Sequence, residues 1–147
     1  MCRGDISAVD CQSCLNTSIQ QIVQKCPNDK SPIIWEVDEC LLRYSDENFF
    51  GKVTEDTMLI WNNNNATNLT IFNQKLEILV DGIIKRATYG PKQLSYQLLF
   101  VVNEISYLPF QTIYGLAQCT RDLSEDDCNN CLTDQLQYFP KKSLCTF

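Results

Sequence analysis

The cysteines are the residues of this chain whose type and spacing carry the most chemistry. There are nine among 147 residues, a density that favours an oxidising compartment and a disulfide framework. Thiols also bind zinc, and Cys11/Cys14 and Cys128/Cys131 each form a Cys-x2-Cys pair. Zinc ribbons place two such pairs about 15–20 residues apart, whereas residues 15–127 separate them here. We therefore predict structural disulfides and no metal site.

Other site chemistries have less support in the sequence. A thioredoxin-like role for Cys11 and Cys14 is disfavoured because Cys2 competes for them and no βαβ pattern surrounds them. The chain has no histidine, which removes the usual general base of Ser-His and Cys-His catalysis. Acidic side chains near a strand end are commonly solvated, and tryptophans commonly pack in a core. We predict no catalytic residue and no cofactor. The groups weighed are Glu36, Asp38 and Glu39 as acid–base carboxylates, and Trp35, Trp61 and the tyrosines as a sugar-stacking platform.

The charge balance argues against two classes of partner. Twelve lysines and arginines stand against eighteen acidic residues, which gives a net charge of −6. Binding to phosphates needs clustered basic residues, so nucleic acid and anionic membranes are disfavoured. The longest apolar run, Leu98–Val102, is far shorter than the roughly 20 residues that span a bilayer.

Three Asn-x-Ser/Thr sequons point toward the secretory route. They begin at Asn16, Asn65 and Asn68, and we expect N-glycans at these asparagines. The chain nevertheless opens with Met1-Cys2 and lacks the basic and apolar regions of a signal peptide. We therefore expect one of two things: either the protein is not exported by means of a cleaved signal, or this chain is a piece of a longer product.

One cysteine motif occurs twice. Residues 2–15 (CRGDISAVDCQSCL) and residues 119–132 (CTRDLSEDDCNNCL) agree at seven of fourteen positions, at an offset of 117. Their shared pattern is Cys-x8-Cys-x2-Cys. A match of this quality indicates two copies of one supersecondary unit. We expect the chain to contain the C-terminal part of one module and the N-terminal part of the next.

Helices are predicted to position both motifs. Ser7 and Ser124 are each followed three residues later by an aspartate, a capping pattern that starts helices near Ala8 and Glu125. The first helix continues along an apolar stripe and stops before Pro27. The stripe consists of Leu15, Ile19, Ile22 and Val23.

The remaining segments predict strands and one long helix. Their order predicts an α+β fold, in which an antiparallel β-sheet carries two helices packed on one side in each module, stapled by disulfides. We place the modules at residues 1–46 and 68–147, with a linker at 47–67 and with the closing strands of the second module missing. The segments are a strand at 32–44, an amphipathic helix at 69–88 and β-rich stretches at 94–103 and 111–118. The apolar stripe of the long helix consists of Phe72, Leu76, Leu79, Val80, Ile83, Ile84 and Ala87.

The repeated motif resembles a plant family. The segments CRGDIS..DC..CL and CTRDLS.DDC..CL are similar to the ginkbilobin-2-homologous, or stress-antifungal, domain. That domain occurs in tandem in cysteine-rich receptor-like kinase ectodomains, in plasmodesmata-located proteins and in cysteine-rich repeat secretory proteins. The resemblance continues, in the family's order, through residues 33–45, 58–62 and 110–119.

The resemblance implies a disulfide pairing. The implied bridges are Cys2–Cys11, Cys14–Cys40 and Cys119–Cys128. The resemblance leaves three cysteines without family partners, and we expect these as unpaired thiols: Cys26, Cys131 and Cys145.

The resemblance also implies a function. It is that of a non-enzymatic extracellular recognition module in the plant apoplast, from a receptor-like kinase ectodomain or a secreted repeat protein, with a role in defence or stress signalling. We expect an extracellular protein or glycan as ligand. The alternative is a mannose-binding antifungal lectin of the ginkbilobin type. In that site the family uses an Arg, a Glu and an Asn. In the first module the Arg and Glu positions hold Ile34 and Ser45 and the Asn segment is absent, whereas in the second module the site includes the closing strand that we expect to be missing.

An incomplete second module predicts self-association. A sheet edge without a partner strand pairs readily with another chain, and a free cysteine offers a covalent route. The alternative is that the strand near residues 33–44 pairs with the sheet of the second module, which makes one composite domain.

Overall fold

The structure, a computed structural model, describes residues 1–36, 39–54, 60–61, 66–90, 100–136 and 144–145. Helices and antiparallel strands both occur within these ranges, which confirms the α+β class. The chain divides into two compact units, Met1–Lys52 and Val53–Thr146. None of the helices in the described ranges has the length and hydropathy that a bilayer crossing needs. The helices are α1 (Ala8–Lys25), α2 (Leu69–Tyr89) and α3 (Glu125–Gln135), and the strands are β1 (Ile33–Glu36), β2 (Cys40–Arg43), β3 (Ile60–Trp61), β4 (Phe100–Leu108), β5 (Gln111–Gln118) and β6 (Leu144–Cys145).

In the first unit, α1 packs on a hairpin formed by β1 and β2. The prediction of one continuous strand over residues 32–44 is wrong. The Glu39 N–H donates to the Glu36 carbonyl oxygen at 3.1 Å, and Glu36 pairs with Cys40 across the hairpin. Residues 33–43 contain no glycine or proline, so the usual turn residues do not mark this reversal in the sequence. The reversal places Cys40 on the buried side, next to α1.

The buried face of α1 is narrower than its apolar residues suggest. Cys14, Ser18 and Ile22 are buried, and they form a single row at i, i+4 and i+8. Ile19 and Val23, which belong to the apolar stripe in the sequence, are 52% and 60% exposed. The described part of this unit holds one helix against a sheet of two strands, and so narrow a sheet covers one row of side chains.

In the second unit, α2 lies across the β4–β5 hairpin and contacts α3. Asn68 caps the start of α2, and the helix ends before Gly90, one residue beyond the predicted end. Strand β5 has the predicted limits, whereas β4 runs on to Leu108, past the predicted end at residue 103. Residues 91–99 lie outside the described ranges. The core of this unit contains Leu79, Val80, Ile83, Ile84, Ala87, Ile113, Ala117, Cys119, Cys128 and Leu132.

The helix α2 packs directly against the β5 backbone at Gly115. A Cβ at this position would lie 3.1 Å from a Leu79 methyl carbon and 3.2 Å from an Ile83 methyl carbon. The absence of a side chain therefore sets how closely α2 packs on β5.

A short sheet joins two distant segments of the second unit. Ile60 pairs with Cys145 and Trp61 with Leu144, in antiparallel register. The predicted linker at residues 47–67 therefore contains the strand β3. Its partner, β6, lies in the C-terminal part of the second module, for which we expected the closing strands to be missing. Two residues are too few for period-two alternation to show, so sequence patterning missed both strands. In the described ranges β4 and β5 pair with each other alone, and self-association through their edges stays a prediction.

Candidate functional site

Three disulfides hold the cysteine motifs. They join Cys2 to Cys11, Cys14 to Cys40 and Cys119 to Cys128, with Cα–Cα distances of 5.7, 6.2 and 5.9 Å. These are the pairs that the family resemblance implied. Cys14, Cys40, Cys119 and Cys128 are at most 6% exposed, so these four sulfur atoms belong to the cores of the two units.

The two motif helices begin with the same cap. The Ser7 Oγ accepts a hydrogen bond from the Asp10 N–H at 3.1 Å, and the Ser124 Oγ accepts one from the Asp127 N–H at 3.1 Å. Each hydroxyl also donates to the carboxylate of its own aspartate, at 2.6 Å. Each cap satisfies an unpaired N–H of the first helical turn, which confirms the predicted starts at Ala8 and Glu125.

Around Cys14–Cys40 the structure contains a residue that sequence reasoning missed. Ser18 has no exposed surface, and its hydroxyl donates to the Cys14 carbonyl oxygen at 2.9 Å. Its Oγ also lies 3.4 Å from the Cys40 sulfur atom. A serine four residues after a bridged cysteine lies on the same helix face, which is the sequence signal that was available.

The described free thiols are those of Cys26 and Cys131, and each is half-buried. Burial raises the pKa of the Cys131 thiol, and the neighbouring Asp134 carboxylate adds to the rise. A raised pKa lowers the thiolate fraction at neutral pH and therefore the reactivity of this cysteine. The side chain of Cys145, the third predicted thiol, lies outside the described residues.

Several of the residues weighed for catalysis and sugar binding lie on or beside the β1–β2 hairpin. Glu36 and Glu39 lie at opposite ends of the β1–β2 turn, and Asp38 lies outside the described residues. Ile34 lies on β1 and offers no polar atom, while the Ser45 Oγ accepts a hydrogen bond from the Glu47 N–H at 3.1 Å. Across the described ranges, no group of three or more His, Cys, Asp or Glu side chains is arranged to hold a metal ion.

The outer face of the β4–β5 hairpin exposes apolar and aromatic side chains. Val102 and Tyr114 are 49% and 72% exposed, and they alternate with the residues that face α2. Glu104 lies directly opposite Tyr114 in the register and is also exposed. This face therefore combines an aromatic ring, an aliphatic side chain and a carboxylate. We refer to it, together with Phe110, as the hairpin surface.

Phe110 lies at the tip of the same hairpin in an unusual backbone conformation. Its φ angle is 62°, and its side chain is fully exposed. A positive φ is unfavourable for a bulky residue, and strained residues of this kind concentrate at functional sites. Sequence reasoning missed it because the position after Pro109 in such a turn ordinarily takes glycine or asparagine.

The base of this tip is anchored by hydrogen bonds. The Tyr107 hydroxyl donates to the Gln111 side-chain oxygen, and the Thr67 hydroxyl donates to the same oxygen at 2.8 Å. Tyr107 also packs edge-on against Phe72 of α2, with ring centroids 5.3 Å apart. The turn that carries Phe110 is thus held by side chains on both sides.

The first unit exposes a separate aromatic group. The Arg43 guanidinium lies over the Phe49 ring at 4.3 Å, and Phe49 stacks on Phe50 at 4.7 Å. Phe50 is 68% exposed. Cation–π and ring stacking together hold this group in place. Both units therefore present aromatic rings to solvent.

Comparison with known proteins gives the family. The family model described as Salt stress response/antifungal matches residues 1–47 and 61–146. Cysteine-rich repeat secretory protein 38 of Arabidopsis thaliana is 39% identical over 141 residues, which are 95% of this chain and 54% of that protein. The antimicrobial ginkbilobin-2-like protein of Castanea crenata is 35% identical, over 95% of this chain and 56% of that protein. Cysteine-rich receptor-like protein kinase 25 of Arabidopsis thaliana is 34% identical, over 96% of this chain and 20% of the kinase.

A solved structure shows the same fold. The tandem DUF26 ectodomain of the Arabidopsis thaliana cysteine-rich receptor-like protein PDLP8 superposes with a TM-score of 0.71 at 28% identity, covering 97% of this chain and 62% of that one. The chain spans about half the length of the secreted relatives above. The relatives are secreted proteins and receptor ectodomains. The predicted family is confirmed, and this chain belongs to the salt stress response/antifungal (DUF26) family.

Proposed function

We propose that this chain is a non-enzymatic extracellular recognition module of a plant. It forms part of a cysteine-rich receptor-like kinase ectodomain or of a secreted cysteine-rich repeat protein, and it serves defence or stress signalling in the apoplast. Its three disulfides and its relatives among secreted proteins and receptor ectodomains support this location. The ligand is an extracellular protein or glycan.

The observation that carries this proposal is the exposed Phe110 held at φ 62°. An exposed aromatic side chain is a typical anchor for binding, because it buries a large area on contact and has only two side-chain torsions to fix. Tyr114 and Val102 extend the apolar area along the same hairpin. The hydrogen bonds at Gln111 hold the tip in one arrangement, which lowers the entropy lost on binding.

Mannose binding of the ginkbilobin type is the alternative that the experiment must separate. A relative at 35% identity is named an antimicrobial ginkbilobin-2-like protein. The positions of the family's sugar-binding Arg and Glu hold Ile34 and Ser45 here. Ile34 cannot donate a hydrogen bond to a sugar hydroxyl, and Ser45 carries no charge. We therefore favour a ligand bound at the hairpin surface.

The test uses the full chain, secreted in oxidised form and fluorescently labelled. Binding to intact plant cell surfaces and to immobilised mannan is measured as a function of concentration. The informative variant is Phe110→Gly, with Phe50→Gly in the first unit as the matched control for loss of an exposed phenylalanine.

The expected result is saturable binding to plant cell surfaces that Phe110→Gly abolishes, that Phe50→Gly retains and that free mannose does not compete. Saturable mannan binding that survives replacement of Ile34 and Ser45 would instead establish a lectin with a different site. Equal binding by Phe110→Gly and the unmodified chain would refute the assignment of the hairpin surface.

A further inference from the structure

The two sequons within the described ranges have different structural surroundings. Asn68 is exposed at the start of α2, with φ 53°, and Thr70, the hydroxyl residue of its sequon, is also exposed. Asn16 is exposed on the outer face of α1, but Ser18, the hydroxyl residue of its sequon, is completely buried. N-glycosylation requires access to both the asparagine and the hydroxyl two residues later.

Ser18 lies directly beside the Cys14–Cys40 disulfide. The Ser18 hydroxyl donates to the Cys14 carbonyl oxygen at 2.9 Å, and it lies 3.4 Å from the Cys40 sulfur atom. The bridge fixes α1 on the β1–β2 hairpin, and Cys14 and Cys40 are each 6% exposed. To expose Ser18, the helix must therefore leave the hairpin, which the covalent bond opposes.

Asn68 can carry a sugar without losing its structural role. Its Oδ1 atom accepts a hydrogen bond from the Ile71 N–H at 3.3 Å and so caps α2. A glycan is attached to the amide nitrogen, which leaves this oxygen free to cap the helix. The left-handed backbone conformation of Asn68 is one that asparagine tolerates better than most residues.

We propose that Asn68 is an open N-glycan acceptor in the folded chain, whereas Asn16 accepts a glycan only until the Cys14–Cys40 disulfide has formed. The donor is a lipid-linked oligosaccharide diphosphate. The bond from the anomeric carbon to the phosphate oxygen breaks, the lipid diphosphate leaves with the electron pair, and the anomeric carbon bonds to the amide nitrogen, which loses a proton. The proposal rests on the proposed function in one respect, namely that the chain enters the secretory route.

The test expresses the full chain behind a heterologous signal peptide in secretory cells, in an Asn65→Gln background that removes the sequon outside the described ranges. Occupancy at each asparagine is measured by mass spectrometry in total cell extract, so that a variant that fails to fold is still counted. Asn68→Asp keeps the capping oxygen and removes the acceptor nitrogen. Cys40→Ser removes the disulfide beside Ser18, and Cys119→Ser is the matched control in the second unit.

We expect higher glycan occupancy at Asn68 than at Asn16, loss of the whole Asn68 signal in Asn68→Asp, and a rise at Asn16 in Cys40→Ser that is absent in Cys119→Ser. Occupancy at Asn16 equal to or above that at Asn68 in the parent chain would overturn the proposal, as would equal Asn16 occupancy in Cys40→Ser and Cys119→Ser. The signal peptide forces entry into the secretory route and no ligand is involved. A failure here is therefore distinguishable from a failure of the proposed recognition function.

Discussion

Replacement of Phe110 by glycine is expected to make the second unit more stable and to abolish recognition. The side chain is fully exposed, so its removal sacrifices no burial. The backbone at φ 62° costs a residue with a side chain about 1–2 kcal/mol. Glycine avoids that cost, but its greater freedom in the unfolded chain costs about 0.5–1 kcal/mol. The net expectation is a gain of about 0–1.5 kcal/mol in the free energy of unfolding, with a midpoint of about 0.8 kcal/mol.

The gain is measurable by urea unfolding followed by far-ultraviolet circular dichroism, or as a rise of about 2–8 °C in Tm. Tyr114→Gly is the contrasting variant, because Tyr114 lies in the extended part of β5 and glycine in a strand is destabilising. Phe110→Gly and Tyr114→Gly are thus expected to change stability in opposite directions. A loss of stability in Phe110→Gly would show that the left-handed conformation at the tip is not strained, and the functional interpretation of the tip would fail with it.

The remaining predictions concern the scaffold. The double variant Cys14→Ala/Cys40→Ala is expected to lose about 3.5 kcal/mol of unfolding free energy in urea titrations, because the bridge closes a loop with a sequence separation of 26. Gly115→Val is expected to lower the same free energy by about 1–3 kcal/mol, since its side chain would collide with α2. Asp134→Asn is expected to lower the pKa of the Cys131 thiol and so to speed its alkylation by iodoacetamide near neutral pH. The thiolate fraction rises with a lower pKa, so this gain is largest below the pKa and vanishes above it.

Each of these predictions has a matched control. Cys119→Ala/Cys128→Ala opens a loop with a sequence separation of 9, and its expected cost is smaller, about 2.7 kcal/mol. A Cβ at Gly82 would meet nothing within 4 Å, so Gly82→Ala is expected to stabilise α2 by about 1 kcal/mol. The alkylation difference at Cys131 is expected to disappear in the denatured chain. A larger cost for the shorter loop, a neutral Gly115→Val or a rate difference that persists in denaturant would contradict the respective prediction.

The sequence was sufficient for the parts of this fold that depend on local chemistry. Ser7 and Ser124 carry hydroxyls that cap helices, and the helices start where those caps predict. The long apolar stripe of α2 is buried as expected, because a helix of this length presents a complete face to the hairpin.

Features that depend on distant partners were not accessible from the sequence. The turn at Glu39 interrupts a segment that contains no glycine or proline, so the local sequence alone predicts one strand. The exposure of Ile19 follows from the width of the sheet that α1 meets, which the helix sequence does not encode. The left-handed backbone at Phe110 contradicts the usual residue preference of a turn, and for that reason it marks the candidate site.

The spacing of the bridged cysteines also has a consequence for biogenesis. During vectorial synthesis Cys11 emerges soon after Cys2, so this bridge can close at once. Cys14 cannot form its bridge until Cys40 has been synthesised. Cys26 emerges before Cys40, and its free thiol can compete for Cys14. Premature pairing of Cys14 with Cys26 would have to be reversed by thiol–disulfide exchange, which takes seconds to hours without help. Production of correctly bridged chain is therefore expected to depend on the disulfide isomerase capacity of the host.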